Sequence, residues 1–162
     1  MKDDQRDSIG IALKSLGYSV NSTNDKELEQ AKKKLVDQRD IVLAYVTDEA
    51  RDKMINGEAA MAVMYSGDAS YVMENNENLA YALPDEGANV WMDGVCILES
   101  SENKELAEKF INFLSRTDVA QKNIDYIQYN SPHKEVVENY PPEKQNSILF
   151  NPDANYITEK CE

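Results

Sequence analysis

The chain has 162 residues, 41% of them hydrophobic, which is enough for a packed core and argues against wholesale disorder. Its 30 Asp and Glu residues against 17 Lys and Arg give a net charge of −13, which repels phosphate backbones and argues against nucleic-acid binding. No apolar run approaches the ~20 residues of a membrane span, and the N-terminus lacks the pattern of a signal peptide.

Helical and extended patterns alternate along the first part of the chain. Asp3 or Asp4 can cap a first helix, whose apolar residues keep helical spacing until Gly17 ends it. Further helices are predicted over 23–38 and 48–57, and a turn at 66–67 begins a fourth. Strands are predicted for the apolar runs at 41–46, 59–65, 79–83 and 89–98.

Two helices dominate the later part of the chain. The first, over 103–115, has one apolar face, formed by Leu106, Ala107, Phe110, Ile111 and Leu114. The second begins at Thr117 and runs to about Ile127. The Pro- and Asn-rich tail is predicted to be loosely ordered, with short helical turns around Lys134 and Pro142. Strands alternating with helices predict an α/β fold class with a largely parallel or mixed sheet.

The residues that usually carry catalysis are scarce. His133 is the single histidine and lies in a Pro-flanked loop, so no multi-histidine metal site or His-dependent nucleophile is predicted. Cys96 and Cys161 form no CxxC motif, and a disulfide between them has no support from spacing. No phosphate-binding glycine loop occurs. The sequence therefore predicts a protein that is not an enzyme and that uses no cofactor or metal.

Aromatic residues near carboxylates form the one pattern that suggests a ligand. Asp4 and Asp7 are three apart on the first helix and share a face, and Trp91 and Asp93 share a face if their segment is extended. The other members of the pattern are the aromatic residues Tyr65 and Tyr129. An organic ammonium binds such mixtures through cation–π contacts and charge-assisted hydrogen bonds.

Each member of this pattern also has a structural interpretation. Trp91 could be a core residue, and Asp4 with Asp7 could simply complement the N-terminus of the helix. Tyr65 and Tyr129 could be packing residues at the ends of their elements. On physical grounds alone the pattern indicates an acidic α/β domain able to bind a cation.

A more specific interpretation comes from a family resemblance along essentially the whole chain. The chain resembles the bacterial spermidine/putrescine-binding proteins of ABC importers, in order and with near-identical spacing. The segments that carry the resemblance include DDQRDSIGIALKSLGYS, GEAAMAVMYSGDA, LPDEGANVWMDGVCI and NKELAEKFINFLSRTDVAQ. The WMD tripeptide and the INFL-SR-x-DVA run are its specific motifs.

The resemblance implies part of a type II periplasmic-binding-protein fold, in which two α/β lobes close on a ligand. Members of the family are about twice as long, so the chain is expected to be a C-terminal half. By the family's topology, 1–91 and 138–162 belong to one nearly complete lobe, and 92–137 is a segment of the other lobe.

The resemblance also assigns roles to the same six residues. It implies that acidic positions bind the amines of a polyamine and that aromatic positions form a cage. These residues are Asp4, Asp7, Tyr65, Trp91, Asp93 and Tyr129. The implied partners are the polyamine and the permease subunits of an ABC transporter. The implied location is extracytoplasmic, either periplasmic or lipid-anchored, with the signal segment outside this chain. We expect the isolated chain to bind polyamine weakly or not at all, and its exposed apolar helix face to favour a dimer.

Two other hypotheses remain at this stage. A protein of the same fold could bind another solute, such as iron, thiosulfate or a sugar, which would require different residues at Asp4, Trp91 and Asp93. Alternatively, the chain could be an acidic interaction domain without a small ligand. The exposure of Trp91 bears on this second alternative, because a ligand platform must be open to solvent.

Overall fold

A computed structural model describes residues 1–162, and the chain folds as two units. The first unit comprises Met1–Val90 together with Pro152–Glu162, and the second comprises Trp91–Asn151. The lobe boundaries implied by the resemblance concern a longer binding protein, and they stay a prediction. None of the helices is both long and apolar enough to cross a bilayer.

The first unit is built mainly from helices. They are α1 (Gln5–Lys14), α2 (Asp25–Asp37), a 3₁₀ turn (Arg39–Ile41), α3 (Glu49–Ile55), α4 (Ser66–Asn75) and, from the end of the chain, α9 (Ala154–Lys160). The four helices predicted in this part of the chain are confirmed, with ends that differ by a few residues. Asp4 caps α1, since its Oδ1 accepts the backbone N–H of Asp7 at 2.9 Å. Gly17 has a φ of 80°, a left-handed conformation that favours glycine and suits the end of a helix.

The core of the first unit lies between α1 and α2. Ala12 and Leu13 of α1 and Ala31 of α2 are buried, and partly buried apolar side chains pack around them. These positions match the helical spacing of apolar residues in the sequence. The apolar faces predicted for α1 and α2 are therefore the faces that pack against each other.

The predicted strands do not form a sheet in this structure. The segments 41–46, 59–65, 79–83 and 89–98 have no ladder of strand hydrogen bonds, and Lys2 and Val46 form one isolated parallel bridge. A strand requires a neighbouring strand that pairs with it along its length, and pairing here is limited to short contacts. Three backbone hydrogen bonds join Met1 and Asp3 to Ala44 and Val46, and two join Glu162 to Ala88 and Val90. Several of their side chains are exposed, as at Met61 and Met92. The strand assignments are therefore wrong for this chain as it stands.

The second unit also consists of helices and connecting segments. Its helices are α5 (Lys104–Leu114), α6 (Thr117–Ile127), α7 (Lys134–Glu138) and α8 (Pro142–Gln145), as the sequence predicts. Its buried side chains come from α6, α7 and the residues after them, including an edge-to-face pair between Tyr140 and Phe150 with ring centroids 6.0 Å apart. No residue of α5 is buried, and Phe110 on its apolar face is 58% exposed.

The end of the chain is more ordered than its composition predicts. Helix α9 begins at Ala154 because Asp153 caps it, accepting the backbone N–H groups of Asn155 and Tyr156. The prediction of a loosely ordered tail is wrong for this segment. Asp153 followed by a helix-compatible run is a local start signal, and it outweighs the neighbouring Pro and Asn residues.

An ion pair attaches the end of the chain to the first helix. The Lys14 Nζ lies 2.7 Å from Glu162 Oε1, and the Ser19 hydroxyl donates to the other carboxylate oxygen. The hydrogen bond from Lys14, then that from Ser19, lowers the pKa of Glu162 below its ordinary value near 4.5. A lowered carboxylate pKa stabilises the folded chain above the ordinary pKa, and this contribution is lost as the pH falls through the lowered value.

We therefore expect Glu162→Gln to lower the melting temperature slightly at neutral pH and to leave it unchanged in strong acid. Thermal denaturation followed by circular dichroism at both pH values measures this difference. Glu159→Gln, an exposed carboxylate of α9, is the matched control. If Glu162→Gln lowers the melting temperature in strong acid as much as at neutral pH, the charge of Glu162 is not what stabilises the chain.

Candidate functional site

Three of the predicted site residues meet at the start of α1. Asp4 lies at the N-cap, and Asp7 lies in the first turn, where the positive end of the helix dipole favours carboxylates. The Tyr65 hydroxyl donates to Asp7 Oδ2 at 2.5 Å. Two hydrogen bonds, one from backbone and one from a phenol, thus link Asp4, Asp7 and Tyr65, which we call the acidic trio.

The position of Tyr65 in this trio follows from the start of α4. Tyr65 immediately precedes α4, and its carbonyl accepts the backbone N–H of Ala69 in the first turn. Asp68 in the same turn is buried and forms an ion pair with Arg51 of α3, whose Nε lies 3.0 Å from Asp68 Oδ1. The Asp68 carboxylate is buried while the Arg51 side chain is 40% exposed, so the pair compensates a buried charge and helps to hold the start of α4 beside Tyr65.

The buried residue Lys2, which is not among the six predicted site residues, contacts the trio. The Lys2 Nζ lies 3.6 Å from the centroid of the Tyr65 ring, and the residue is 3% exposed. This distance is within the range of a cation–π interaction. No sequence signal marked Lys2, because a lysine in an acidic segment is expected at the surface.

The other three predicted site residues belong to the second unit. Trp91 is 45% exposed and Asp93 is exposed, while Tyr129 is half-buried. Tyr129 follows α6, where Gln128 adopts a left-handed conformation with a φ of 60° and ends the helix. The exposure of Trp91 rules out a core role for its indole in this structure. The shared orientation of Trp91 and Asp93 stays a prediction, because their segment is not held in a sheet.

Other kinds of site find little support in the described residues. No group of three or more His, Cys, Asp or Glu side chains is arranged to hold a metal ion, and both cysteines are free thiols. His133 Nε2 lies 2.9 Å from the Ser115 carbonyl, a contact that joins a loop to the end of α5. A mainly apolar groove of about 500 Å³ lies on the first unit, but none of the six predicted site residues lines it.

Comparison with known proteins identifies what the chain is similar to. Residues 1–151 match the family model for bacterial extracellular solute-binding proteins. The spermidine/putrescine-binding periplasmic protein of Salmonella typhimurium is 34% identical over 159 residues, which cover 98% of this chain and 46% of that protein. The Escherichia coli protein of the same name is 34% identical over 157 residues, which cover 97% of this chain and 45% of that protein. The chain therefore spans about half the length of the curated relatives it matches.

Solved structures give the same result for the fold. The spermidine/putrescine ABC transporter substrate-binding protein PotD from Streptococcus pneumoniae has a TM-score of 0.82 and 36% identity, covering 99% of this chain and 49% of that one. An ABC transporter protein from Listeria monocytogenes has a TM-score of 0.88 and 36% identity, covering 97% of this chain and 48% of that one. The predicted fold class, part of a periplasmic-binding-protein fold, is confirmed by these neighbours.

Proposed function

The chain belongs to the bacterial extracellular solute-binding proteins, and from this premise we propose that it is the C-terminal half of a polyamine-binding protein. We call that longer protein the parent protein. Its proposed role is to bind spermidine or putrescine between two lobes and to deliver it to an ABC importer. The observation that carries the proposal is the hydrogen-bonded acidic trio at the N-terminus of α1.

The chemistry of the six predicted residues suits an organic polycation. Carboxylates of Asp4, Asp7 and Asp93 would hold charged nitrogens by charge-assisted hydrogen bonds, which are stronger than neutral ones. The aromatic faces would contact the methylenes and attract the ammonium groups. These faces are those of Tyr65, Trp91 and Tyr129. The role is one of binding without catalysis, as in the relatives, which are solute-binding proteins.

The proposed location and partners follow from the same relatives. The curated relatives are periplasmic proteins, so we propose that the parent protein works outside the cytoplasm, either in the periplasm or anchored to the outer face of the membrane. Its proposed partners are the permease subunits of the importer. The strongly acidic surface suits a cationic cargo, since it attracts polyamines at long range.

Calorimetric titration of the parent protein tests this function. We expect spermidine and putrescine to bind, and butylamine, a monoamine of similar length to putrescine, to bind far more weakly because one carboxylate would stay unpaired. Equal affinity for butylamine, or no heat with either polyamine, would contradict the proposal. The 162-residue chain alone should bind weakly or not at all, because it carries only part of the proposed cage.

We also propose that isolated copies of this chain associate through the apolar face of α5. The face contains Leu106 and Phe110, which are 66% and 58% exposed, and Phe113, whose ring stacks on Phe110 with centroids 6.4 Å apart. A contiguous exposed apolar face on a helix is a common docking surface. A second copy offers the same face, so a symmetric pairing would cover both.

Phe110→Glu should therefore shift the isolated chain from dimer towards monomer, because it places a charge in the centre of the apolar contact. Sedimentation velocity over a range of concentrations measures the shift. Asn112→Glu adds the same charge to α5 at another exposed position and should leave the dimer intact. A wild-type chain that is monomeric at all concentrations would contradict the proposed association.

A further inference from the structure

We infer that Lys2 limits the positive charge that a ligand can place at the acidic trio, and so discriminates between diamines and triamines. This inference rests on the proposed function and adds a specificity-determining residue to it. It comes from a side chain that neither the sequence pattern nor the resemblance selected.

Lys2 is held firmly in its buried position. Its residue forms the parallel bridge with Val46, and its carbonyl accepts the Ser8 hydroxyl at 2.7 Å from within α1. Its ammonium group lies over the Tyr65 ring, 3.6 Å from the ring centroid. The residue is 3% exposed, whereas lysine side chains usually lie at the surface. A selective role in ligand binding would explain why a lysine occupies this position.

The contact with Lys2 changes what Tyr65 can offer to a ligand. One face of the Tyr65 ring already carries the Lys2 ammonium at 3.6 Å, so a ligand ammonium must use the opposite face or the edge. Lys2 is therefore a fixed internal cation at the place where the ligand is proposed to bind. A second cation brought to the same ring is repelled by the first.

The same contact also changes the local charge. Asp4 and Asp7 carry two negative charges, and Asp7 is hydrogen-bonded to the phenol whose ring holds Lys2. The single positive charge of Lys2 offsets one of the two, so the trio with Lys2 best matches one ligand ammonium. A triamine brings one more positive charge than a diamine into the site. Lys2 therefore weakens the binding of a triamine more than the binding of a diamine.

The test compares putrescine and spermidine binding to the parent protein by calorimetry at low ionic strength. Lys2→Met keeps the length of the side chain and removes its charge. We expect it to increase the affinity for spermidine relative to putrescine by roughly threefold to tenfold, as for one unit charge several ångströms away in a partly solvated site. The gain should shrink at high salt, since screening weakens the repulsion.

Two further variants separate the local effect from a general one. Lys2→Arg keeps the charge and the cation–π partner, so it should keep the wild-type ratio of affinities. Lys26→Met removes an exposed positive charge from α2 and should also keep that ratio. Lys2→Gln is a second neutral variant in case Lys2→Met does not fold, which the far-ultraviolet circular dichroism spectrum reports.

The outcomes distinguish this inference from the proposed function. A parent protein that binds neither amine overturns both. Polyamine binding by the wild type with an unchanged spermidine-to-putrescine ratio in a folded neutral variant overturns the role of Lys2 alone. Independently of any ligand, the ε-methylene protons of Lys2 should resonate upfield of those of other lysines because of the Tyr65 ring current, and an ordinary chemical shift would overturn the contact itself.

Discussion

Asp93→Asn should weaken spermidine binding by the parent protein by about 2–5 kcal/mol, roughly 30- to 5,000-fold in Kd. Asn has nearly the shape of Asp, so the change removes the charge while leaving the packing intact. In this structure Asp93 is exposed. Once a bound ligand and a closing lobe remove water from the Asp93 carboxylate, the ammonium group of the ligand becomes the main partner that stabilises its negative charge. Calorimetry or the change in Trp91 fluorescence measures the loss.

The control for this change is another exposed carboxylate of the same segment. Glu99→Gln removes one negative charge six residues farther along, and it should leave the Kd within about twofold, because exposed charges several residues from a site contribute little at physiological salt. An unchanged response in Asp93→Asn would remove Asp93 from the site. An equal loss in both variants would indicate long-range attraction by the acidic surface in place of a specific ion pair.

Leu13→Ala should lower the free energy of unfolding of the chain by about 2–5 kcal/mol. Leu13 is 1% exposed and lies in the core between α1 and α2, so truncation removes apolar contacts and leaves a cavity that two helices cannot easily close. For a small domain this is a large share of the total stability. Urea denaturation followed by circular dichroism measures the change.

A valine on the outer side of α2 provides the comparison for Leu13. Val36 is 58% exposed, so Val36→Ala removes little buried surface and gains some helix propensity. We expect its effect to stay within about 0.5 kcal/mol. A loss below about 1 kcal/mol for Leu13→Ala would mean that the α1–α2 contact is not the core of the folded chain.

Much of the helical structure could be predicted from the sequence because its signals are local. Asp4 as a cap, Gly17 as a stop and the apolar spacing through Leu13 all act within one or two turns of α1. The strands at 41–46 and 59–65 could not be judged in the same way. Their apolar composition permits a strand, but the formation of one depends on a partner elsewhere in the chain.

The same difference between local signals and long-range contacts applies to the candidate site. The proximity of Asp4 and Asp7 follows from a spacing of three residues on a helix. The hydrogen bond from Tyr65 to Asp7 joins residues 58 apart, and the aromatic pattern in the sequence includes Tyr65 without predicting which carboxylate it contacts. Lys2 had no signal at all, since its burial results from how α1, the bridge at Val46 and the start of α4 assemble.

The apolar segments that lack a paired strand are expected to promote aggregation of the chain during storage. Met61 and Met92 are each nearly nine-tenths exposed, on apolar stretches that no neighbouring strand pairs along their length. Exposed strand-like stretches can pair with those of another copy, and the net charge of −13 opposes that association. Storage at low ionic strength should therefore preserve the dispersed chain, whereas added salt should hasten fibrillar or amorphous deposition without unfolding any helix.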